Sequence, residues 1–475
     1  MRPIYTALKK YCEENRLRLH MPGHIGEKGF TVPELKCLAG IDLTEVPGID
    51  DLHLPAGDIK EAKILLAQAY GARESFFLVN GATSGIHALF MSLGPPGSKV
   101  LLPRNSHRSF FGGMVLAGTS PVYIPCRIEP ELGIALSVCY DDIENLLNFH
   151  QDSKAVFITS PSYFGTTCDI EKISIATRVI DTLLLVDEAH GGHFPFHSRY
   201  PRPALSSGAD AVVNGLHKTL PVLNQGACLH AGSGFKNLER LASVCSLLTT
   251  TSPSFPILAS IDLARELMVE QGEVLLERAL MLSREYKRKI GDIEGLRCYD
   301  AEELRRVKGV KDVDPLKLLI APNGLSVNGV ELARLLRDAF KIQVEIEQDR
   351  YILAMMSMFH ERDDWERLYL ALKNIAATYS GQEKKREIIE AAPYPVMQLL
   401  PREAFYADSR RISFEDCRGL IAAEMVAVYP PGVPCLLPGE LITPEIFSYL
   451  QYLKKTRARL QGPGDVSLNY IRVIA

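Results

Sequence analysis

The sequence lacks three features that would place it in other protein classes. It has no continuous apolar stretch of the length that a transmembrane helix needs, and its first residues lack the apolar core of a signal peptide. Its 53 Lys and Arg residues are balanced by 57 Asp and Glu residues, with no basic block. Neither a membrane nor a nucleic acid is therefore an expected partner.

The cysteines also lack the regular spacing of disulfide or metal-binding motifs. All ten are scattered singly, with no C-x-x-C pair and no zinc-ligand spacing. In a chain of this length, such cysteines predict reduced thiols in a cytoplasmic protein and no metal site. No internal repeat and no low-complexity tract interrupts the sequence.

The chain of 475 residues is too long for one typical core, and its composition is that of a globular enzyme. Residues 1–56 hold an amphipathic helix (Tyr5 to Glu14) followed by turn-rich sequence, which predicts an N-terminal arm. Over residues 57–294, short apolar runs alternate with helical patterns, and this alternation predicts an α/β domain with a mostly parallel sheet. The predicted strands start at Phe76, Val100, Val122, Ala155, Leu183, Ala211 and Ala227.

Two smaller units are predicted after the large domain. Long helices are expected over Ile257 to Ile290, and residues 295–380 have the mixed pattern of a smaller α+β domain. A charged run from Ser380 favours a solvated linker or a helix start. Residues 390–475 form a last module around a segment rich in proline and glycine that ends at Glu440.

Two apolar runs end in groups that carry chemistry. Asp187 ends the run from Leu183, and the pair His217-Lys218 follows the run from Ala211. The carboxyl ends of parallel strands lie at one edge of a sheet, so these groups are expected to converge. An anion and an amine are what pyridoxal phosphate (PLP) needs, since it binds a lysine covalently and pairs its ring nitrogen with an acid. Burial would lower the pKa of Lys218.

A phosphate site is predicted after the first strand. Asn80-Gly-Ala-Thr-Ser-Gly85 precedes a helical pattern, so that Ala82, Thr83 and Ser84 stand at a helix N-terminus. Backbone N–H groups and hydroxyls there would hold a phosphate. An ordinary N-capped helix is the alternative interpretation of the same residues.

Further polar residues follow other strands of the predicted sheet. His107 follows the strand from Val100, and its imidazole could stack on a cofactor ring and assist proton transfer. Ser162 follows the strand from Ala155, and could either line the cofactor or form a proline turn. Glu188 and His190 are expected to support Asp187 by hydrogen bonding.

These motifs together resemble the ornithine/lysine/arginine decarboxylase family in its short bacterial form, within the fold-type-I, aspartate-aminotransferase-like PLP enzymes. The resemblance spans most of the chain. Its motifs are His20-Met-Pro-Gly-His24, Asp51-Leu-His53-Leu-Pro-Ala-Gly57, Asn80 to Gly85, Asn105-Ser-His107, Ser160 to Gly165, Asp187-Glu-Ala-His-Gly191, His217-Lys-Thr-Leu-Pro221 with Gln225, Thr251-Ser-Pro-Ser254, and Pro430 to Pro434 with Pro438-Gly-Glu440.

The resemblance implies decarboxylation of arginine, lysine or ornithine to an amine of polyamine metabolism. Lys218 would bind PLP covalently, Asp187 would pair with the ring nitrogen, and His107 would stack on the ring. Ala82, Thr83 and Ser84 would hold the phosphate, with Ser162, His190 and His217 nearby. Glu440, and Asp51 as the weaker candidate, would meet the distal cation of the substrate. The family implies a homodimer or higher homo-oligomer whose arm and 251–254 segment complete shared active sites.

One departure from the family pattern leaves alternatives open. Gly215-Leu216 stands where members usually carry Ser-Thr, so two hydroxyls expected near the phosphate are missing. The chain could instead catalyse another PLP reaction, such as aminotransfer or lyase chemistry. It could also be a regulatory homologue that binds PLP weakly, although Lys218, His107 and Asp187 argue against this.

Overall fold

The computed structural model describes residues 1–381, 393, 395–428 and 433–475. The chain starts with α1 (Pro3–Glu13) and α2 (Pro33–Ile41). Part of the predicted arm belongs to the core, because Ile4, Leu8 and Tyr11 of α1 are buried in one apolar cluster with residues of the long helix described below.

The large domain is an α/β unit around one seven-stranded sheet. Its strands are β1 (Glu74–Leu78), β2 (Lys99–Pro103), β3 (Ser120–Ile124), β4 (Ala155–Thr159), β5 (Leu183–Asp187), β6 (Ala211–Asn214) and β7 (Ala227–Ala231). Its helices are α3 (Asp58–Tyr70), α4 (Gly81–Ser92), α5 (Arg108–Ala117), α6 (Tyr140–Phe149), α7 (Ile170–Val179) and α8 (Leu238–Leu248).

The strand order is β1-β7-β6-β5-β4-β2-β3, and β7 alone runs opposite to the other six strands. The mostly parallel sheet is therefore confirmed, and all seven predicted strands are present. The β-branched and leucine-rich runs are buried because helices cover both faces of the sheet. Among the described helices, none is long and apolar enough to cross a membrane.

A single helix connects the large domain to the next unit. The predicted long helices over Ile257 to Ile290 are one continuous helix, α9 (Phe255–Gly291), with Pro256 in its first turn. Proline at that position costs the helix no hydrogen bond, because the first N–H groups have no partner within the helix. The prediction was wrong in the number of helices and right in their location.

The small α+β unit has its own core around the buried Trp365. Its sheet has the order β8-β9-β11-β10, with all neighbouring strands antiparallel. These strands are β8 (Arg297–Tyr299), β9 (Lys317–Ala321), β10 (Ile346–Glu347) and β11 (Ile352–Met355). The helices of this unit are α10 (Ala301–Arg305), α11 (Gly329–Phe340) and α12 (Arg362–Thr378).

The C-terminal module packs around the buried Phe414. Its helices are α13 (Pro401–Tyr406) and α14 (Pro444–Lys455), and its strands include β12 (Ser409–Ser413), β13 (Val426–Val428), β14 (Val433–Leu436), β15 (Leu460–Gln461) and β16 (Tyr470–Ile474). A short antiparallel pair, Val396–Met397 with Glu440–Leu441, completes the strands described for this module. Most of the charged run after Ser380, together with residues 429–432 of the proline-rich segment, lies outside the described residues.

Candidate active site

Five strands deliver polar residues to the same edge of the sheet. The strands β2, β4, β5 and β6 are mutually parallel, and β1 has the same direction because β7 is antiparallel to both β1 and β6. Their carboxyl ends lead to the Asn80–Gly85 loop, His107, Ser162, Asp187 and Lys218. The predicted convergence at one edge is therefore present in the fold.

Lys218 lies in a short helical turn after β6. Its Nζ is 3.2 Å from His190 Nε2. Burial lowers the pKa of Lys218, while the charges of Asp187 and Glu345 act in the opposite direction. Burial thus favours the neutral amine, which is the form that attacks an aldehyde.

Asp187 is the last residue of β5 and is buried. Its Oδ1 accepts a hydrogen bond from the Ala189 N–H at 3.1 Å. Burial raises the pKa of this carboxyl, and the charge of Lys218 lowers it. Within the described part of the chain the carboxylate has no salt bridge, so the site offers a buried anion suited to a cationic ring nitrogen.

The N-terminus of α4 is not capped by a side chain. Asn80 is the N-cap residue, yet its side chain accepts no hydrogen bond from the first N–H groups of α4. The Ser84 hydroxyl donates to the Gly81 carbonyl, and Thr83 is exposed. The alternative of an ordinary side-chain N-cap is therefore not observed, and the first-turn donors suit a phosphate.

The phosphate loop is fixed against the lysine loop and the sheet. The Gly81 N–H donates to the Gln225 carbonyl at 2.9 Å. A Cβ at Gly85 would lie 2.6 Å from a methyl carbon of Leu78 and 3.1 Å from one of Val213. Only glycine lets α4 approach β1 and β6 this closely, so the helix N-terminus stays at the edge that carries Lys218.

His107 is exposed and is the N-cap residue of α5, where its Nδ1 accepts from the Ser109 N–H at 3.3 Å. The surrounding protein and the charges of Lys218 and Arg108 lower its pKa to about 4. The imidazole is thus neutral at pH 7. Its exposed ring leaves a face on which an aromatic cofactor can stack.

Two other predicted residues are engaged in local contacts. The Ser162 hydroxyl bonds the Thr166 hydroxyl at 2.7 Å and accepts from the Phe164 N–H, so it stabilises the turn after β4. His217 Nδ1 lies 3.0 Å from the Gly226 carbonyl oxygen. These contacts hold the loops in place, and the predicted cofactor roles of both residues stay predictions.

The departure at Gly215-Leu216 has a packing explanation. Leu216 is buried in the core beneath the sheet edge. A Cβ at Gly215 would lie 3.1 Å from the Ala189 carbonyl oxygen, which is tighter than ordinary contact. The Thr219 hydroxyl, one residue after Lys218, is buried without a hydrogen-bond partner in the described structure. Leu216 thus packs into the core at a position where the family pattern has a hydroxyl. The unpaired hydroxyl of Thr219 lies in the same loop.

The two predicted substrate-binding acids have partners within the chain. Glu440 is buried and forms a two-point ion pair with Arg104, in which Arg104 Nη2 donates to Oε2 at 2.7 Å. Asp51 Oδ1 accepts from the His53 N–H at 2.7 Å in a turn of the arm. Neither residue lines the cavity beside Lys218. Their substrate roles stay predictions.

Sequence reasoning missed a second lysine at the site, and this one is buried. Lys317 starts β9 of the small unit, and its Nζ is 3.1 Å from His190 Nδ1. The His190 ring also packs on Tyr163, with ring centroids 4.6 Å apart. The only local signal was a lysine at the head of an apolar strand, and nothing in the sequence placed that strand beside Lys218.

The residues of this edge fit PLP by the chemistry of their groups. Lys218 is a half-buried amine, Asp187 is a buried carboxyl group without a salt bridge among the described residues, and the first turn of α4 has no side-chain cap and can bind a phosphate. Each matches one functional group of the cofactor.

Comparisons with known proteins identify the family of the whole chain. A family model described as "Orn/Lys/Arg decarboxylase, major domain" matches residues 2–364, and its C-terminal-domain counterpart matches residues 382–464. The arginine decarboxylase of Bacillus subtilis (strain 168) is 36% identical over 99% of this chain and 97% of its own length. The lysine decarboxylase of Hafnia alvei is 24% identical over 97% of this chain and 76% of its own length. The crystal structure of the Francisella novicida lysine decarboxylase superposes with a TM-score of 0.84 at 19% identity, covering 100% of this chain and 81% of that chain.

Proposed function

The chain belongs to the Orn/Lys/Arg decarboxylase family, and we propose that it is an arginine decarboxylase that uses PLP and releases agmatine and CO2. Decarboxylation of a basic amino acid is the chemistry of the family as a whole. The choice of arginine is supported by one observation above all. Full-length identity to the arginine decarboxylase of B. subtilis is 36%, against 24% to the lysine decarboxylase of H. alvei.

The proposed roles follow from the site. Lys218 is the amine that binds PLP, Asp187 keeps the ring nitrogen protonated, and the first turn of α4 binds the phosphate. PLP bound there supplies an electron-accepting ring for the electrons of the broken Cα–carboxyl bond. Because the pKa of His107 is about 4, this residue is neutral at pH 7. We therefore assign the return of a proton to Cα to Lys218, and ring contact to His107.

The test is to incubate the PLP-loaded chain separately with arginine, lysine and ornithine. Agmatine, cadaverine, putrescine and CO2 are then measured. We expect the kcat/KM for agmatine formation from arginine to be well above the values for cadaverine formation from lysine and putrescine formation from ornithine. Cadaverine or putrescine as the main product would move the assignment to another basic substrate.

The same assay separates the alternatives left by the sequence. A keto acid without CO2 would identify an aminotransferase. Failure of the purified chain to acquire the near-visible absorbance of lysine-bound PLP would indicate a regulatory homologue instead. Either outcome would overturn the decarboxylase proposal.

We also propose that the protein is a cytoplasmic homodimer. All ten cysteines are free, as expected in a reducing compartment. Large apolar side chains of the arm are exposed, which is typical of a surface that another protein covers. They are Leu17, Leu19, Met21, Ile25, Val32, Leu35, Leu38 and Leu54.

The position of the arm supports a second copy of the chain as the occupant. His53 of the arm contacts the Thr250 carbonyl at 2.9 Å, so the arm and the exposed start of the 251–254 segment share one surface. The family resemblance assigns both segments to an interface between subunits. A sedimentation measurement tests this assignment.

A further inference from the structure

The imidazole of His190 lies between two lysine amines. Its Nε2 is 3.2 Å from Lys218 Nζ, and its Nδ1 is 3.1 Å from Lys317 Nζ. His190 and Lys317 are both buried. The two amines belong to different units of the fold, since Lys218 follows β6 and Lys317 starts β9.

The hydrogen-bonding capacities of these groups restrict their charges. A neutral imidazole has one N–H donor and one acceptor nitrogen, whereas a charged ammonium can only donate. If both lysines were charged, one imidazole nitrogen would have to turn its N–H toward an ammonium. A bond at each nitrogen therefore requires one neutral amine. The remaining possibility, a protonated His190, is opposed by burial and by both lysines, which lower its pKa.

We propose that Lys317 is a positioning residue that exchanges one proton with Lys218 through His190, and so makes the neutral, PLP-reactive amine of Lys218 accessible. This inference rests on the proposed PLP-binding role of Lys218. It assigns to Lys317 a role as the acceptor of one proton, distinct from that of a fixed structural cation.

The transfer needs no other reactant. One N–H bond of the Lys218 ammonium breaks as the Nε2–H bond of His190 forms. At the same time the Nδ1–H bond breaks and a new N–H bond forms on Lys317. The pair of lysines carries one positive charge before and after the transfer, and only the tautomer of His190 changes.

The surroundings of Lys317 suit this exchange. Burial and the charge of Lys218 lower its pKa to about 8, while Asp314 and Glu345 favour its charged form. Lysine at such a pKa can gain and lose a proton close to neutral pH. Glycine at 165 makes room for the side chain, because a Cβ there would lie 2.6 Å from Lys317 Cγ.

The charged and titratable groups around the two amines come from several elements. Those that face Lys218 are Asp187, Glu345, His190 and His107. Those that face Lys317 are Asp314, Glu345, His190, Lys218 and the ring of Tyr163. All but Lys317 and His190 are left intact in the test, so their contribution is the same in each variant.

The test measures how readily Lys218 captures PLP at different pH values. PLP is removed from the full-length chain and then added back over a pH series. Borohydride fixes the bound cofactor, and mass spectrometry measures the fraction of modified Lys218. The pH midpoint of capture reports the ionisation of Lys218.

Lys317→Met is expected to raise this midpoint by about one pH unit, because the proton of Lys218 loses its acceptor. Lys317→Arg is expected to lower it, since a permanent cation at His190 Nδ1 turns the imidazole N–H toward Lys218. In a His190→Gln background, Lys317→Met is expected to cause no further shift. Lys63→Met, which removes a lysine bound to Glu74 at 3.5 Å, is the matched control and keeps the original midpoint.

Three results have distinct meanings. Unchanged midpoints in both Lys317 variants would overturn the proposal and leave Lys317 a purely structural residue. A shift by Lys317→Met that persists in the His190→Gln background would overturn the route through His190. No capture by the unsubstituted chain at any pH would instead refute the PLP-binding role of Lys218. Circular dichroism of each variant shows whether it is folded.

Discussion

The guanidinium of Arg104 and the carboxylate of Glu440 form a buried two-point ion pair that joins the large domain to the C-terminal module. Arg104 follows β2 and also donates to the Cys435 carbonyl at 3.2 Å, while its guanidinium lies 5.1 Å from the Tyr123 ring centroid. Glu440 also accepts from the Leu437 N–H at 2.7 Å. The acid that the sequence offered as a substrate contact thus has a structural partner.

Removing one member of this pair should destabilise the protein. In Glu440→Gln, the buried guanidinium loses its counter-charge, at a cost of about 3–5 kcal/mol in the free energy of unfolding. The double substitution Arg104→Met/Glu440→Leu should recover most of that loss. Urea denaturation of the two variants and of the unsubstituted chain measures both effects. Equal stability of Glu440→Gln and the unsubstituted chain would show that the pair contributes little.

Glu440→Gln and the single variant Arg104→Met test the predicted substrate role of Glu440. If its carboxylate also binds the distal cation of the substrate, Glu440→Gln raises KM for arginine whereas Arg104→Met does not. If it acts only in the ion pair, the two variants have similar KM values. Steady-state kinetics on folded protein distinguishes these outcomes.

Lys218→Ala should abolish both the absorbance of lysine-bound PLP and turnover. The residual rate should fall by at least about 10³-fold, because the covalent partner of the cofactor is lost. Lys63→Met should keep both properties. Retention of either property by Lys218→Ala would refute the central assignment.

Asp187→Asn should retain PLP on Lys218 but lose activity. An amide cannot stabilise a positive charge on the ring nitrogen as a carboxylate does, so kcat should fall by about 10²-fold or more. Asp210→Asn is a matched control at the opposite edge of the sheet, where Asp210 is buried and accepts from the Leu184 N–H at 2.7 Å. Similar kcat values for the two variants would contradict the role of Asp187.

Glu188 should make the stability of the protein depend on pH. Burial raises its pKa from 4.5 to about 8 in the folded chain. Between pH 4.5 and about 8 the folded state therefore holds a proton that the unfolded state has lost. The free energy of unfolding falls as the pH rises through this range, so the protein is most stable with respect to this group at low pH. The resulting loss in the free energy of unfolding is on the order of 5 kcal/mol.

Glu188→Gln should flatten the decline in unfolding free energy between those pH values. The exposed substitution Glu239→Gln should leave the decline unchanged. Chemical denaturation at several pH values measures the slopes. A Glu188→Gln slope as steep as that of the unsubstituted chain would assign the pH dependence to other groups.

A charge on the arm should dissociate the proposed dimer. Leu19 is 86% exposed, and Leu19→Asp places a carboxylate on the apolar surface of the arm. Val179, which is 80% exposed on α7, provides the control Val179→Asp. Sedimentation velocity should show a monomer only for Leu19→Asp. A dimer in both variants would place the subunit contact elsewhere.

Local sequence was sufficient to predict the large sheet and the polar residues that meet at one of its edges. Short apolar runs that end in Asp187 and Lys218 predict buried parallel strands, and parallel strands place their carboxyl ends together. The Gly81–Gly85 turn predicted a helix N-terminus at the same edge. These features depend on residues close in sequence and on the geometry of a parallel sheet.

Long-range packing decided the contacts that local sequence could not predict. Lys317 reaches His190 only because β9 of the small unit lies against the loop at Gly165, and Glu440 meets Arg104 across 336 positions of sequence. Periodicity and motif spacing contain no information about such contacts. The sequence by itself therefore determined the fold class and brought the proposed PLP-binding residues to one edge of the sheet. Only the tertiary structure decided how their charges are balanced, because that balance depends on which side chains share a buried, weakly screened space.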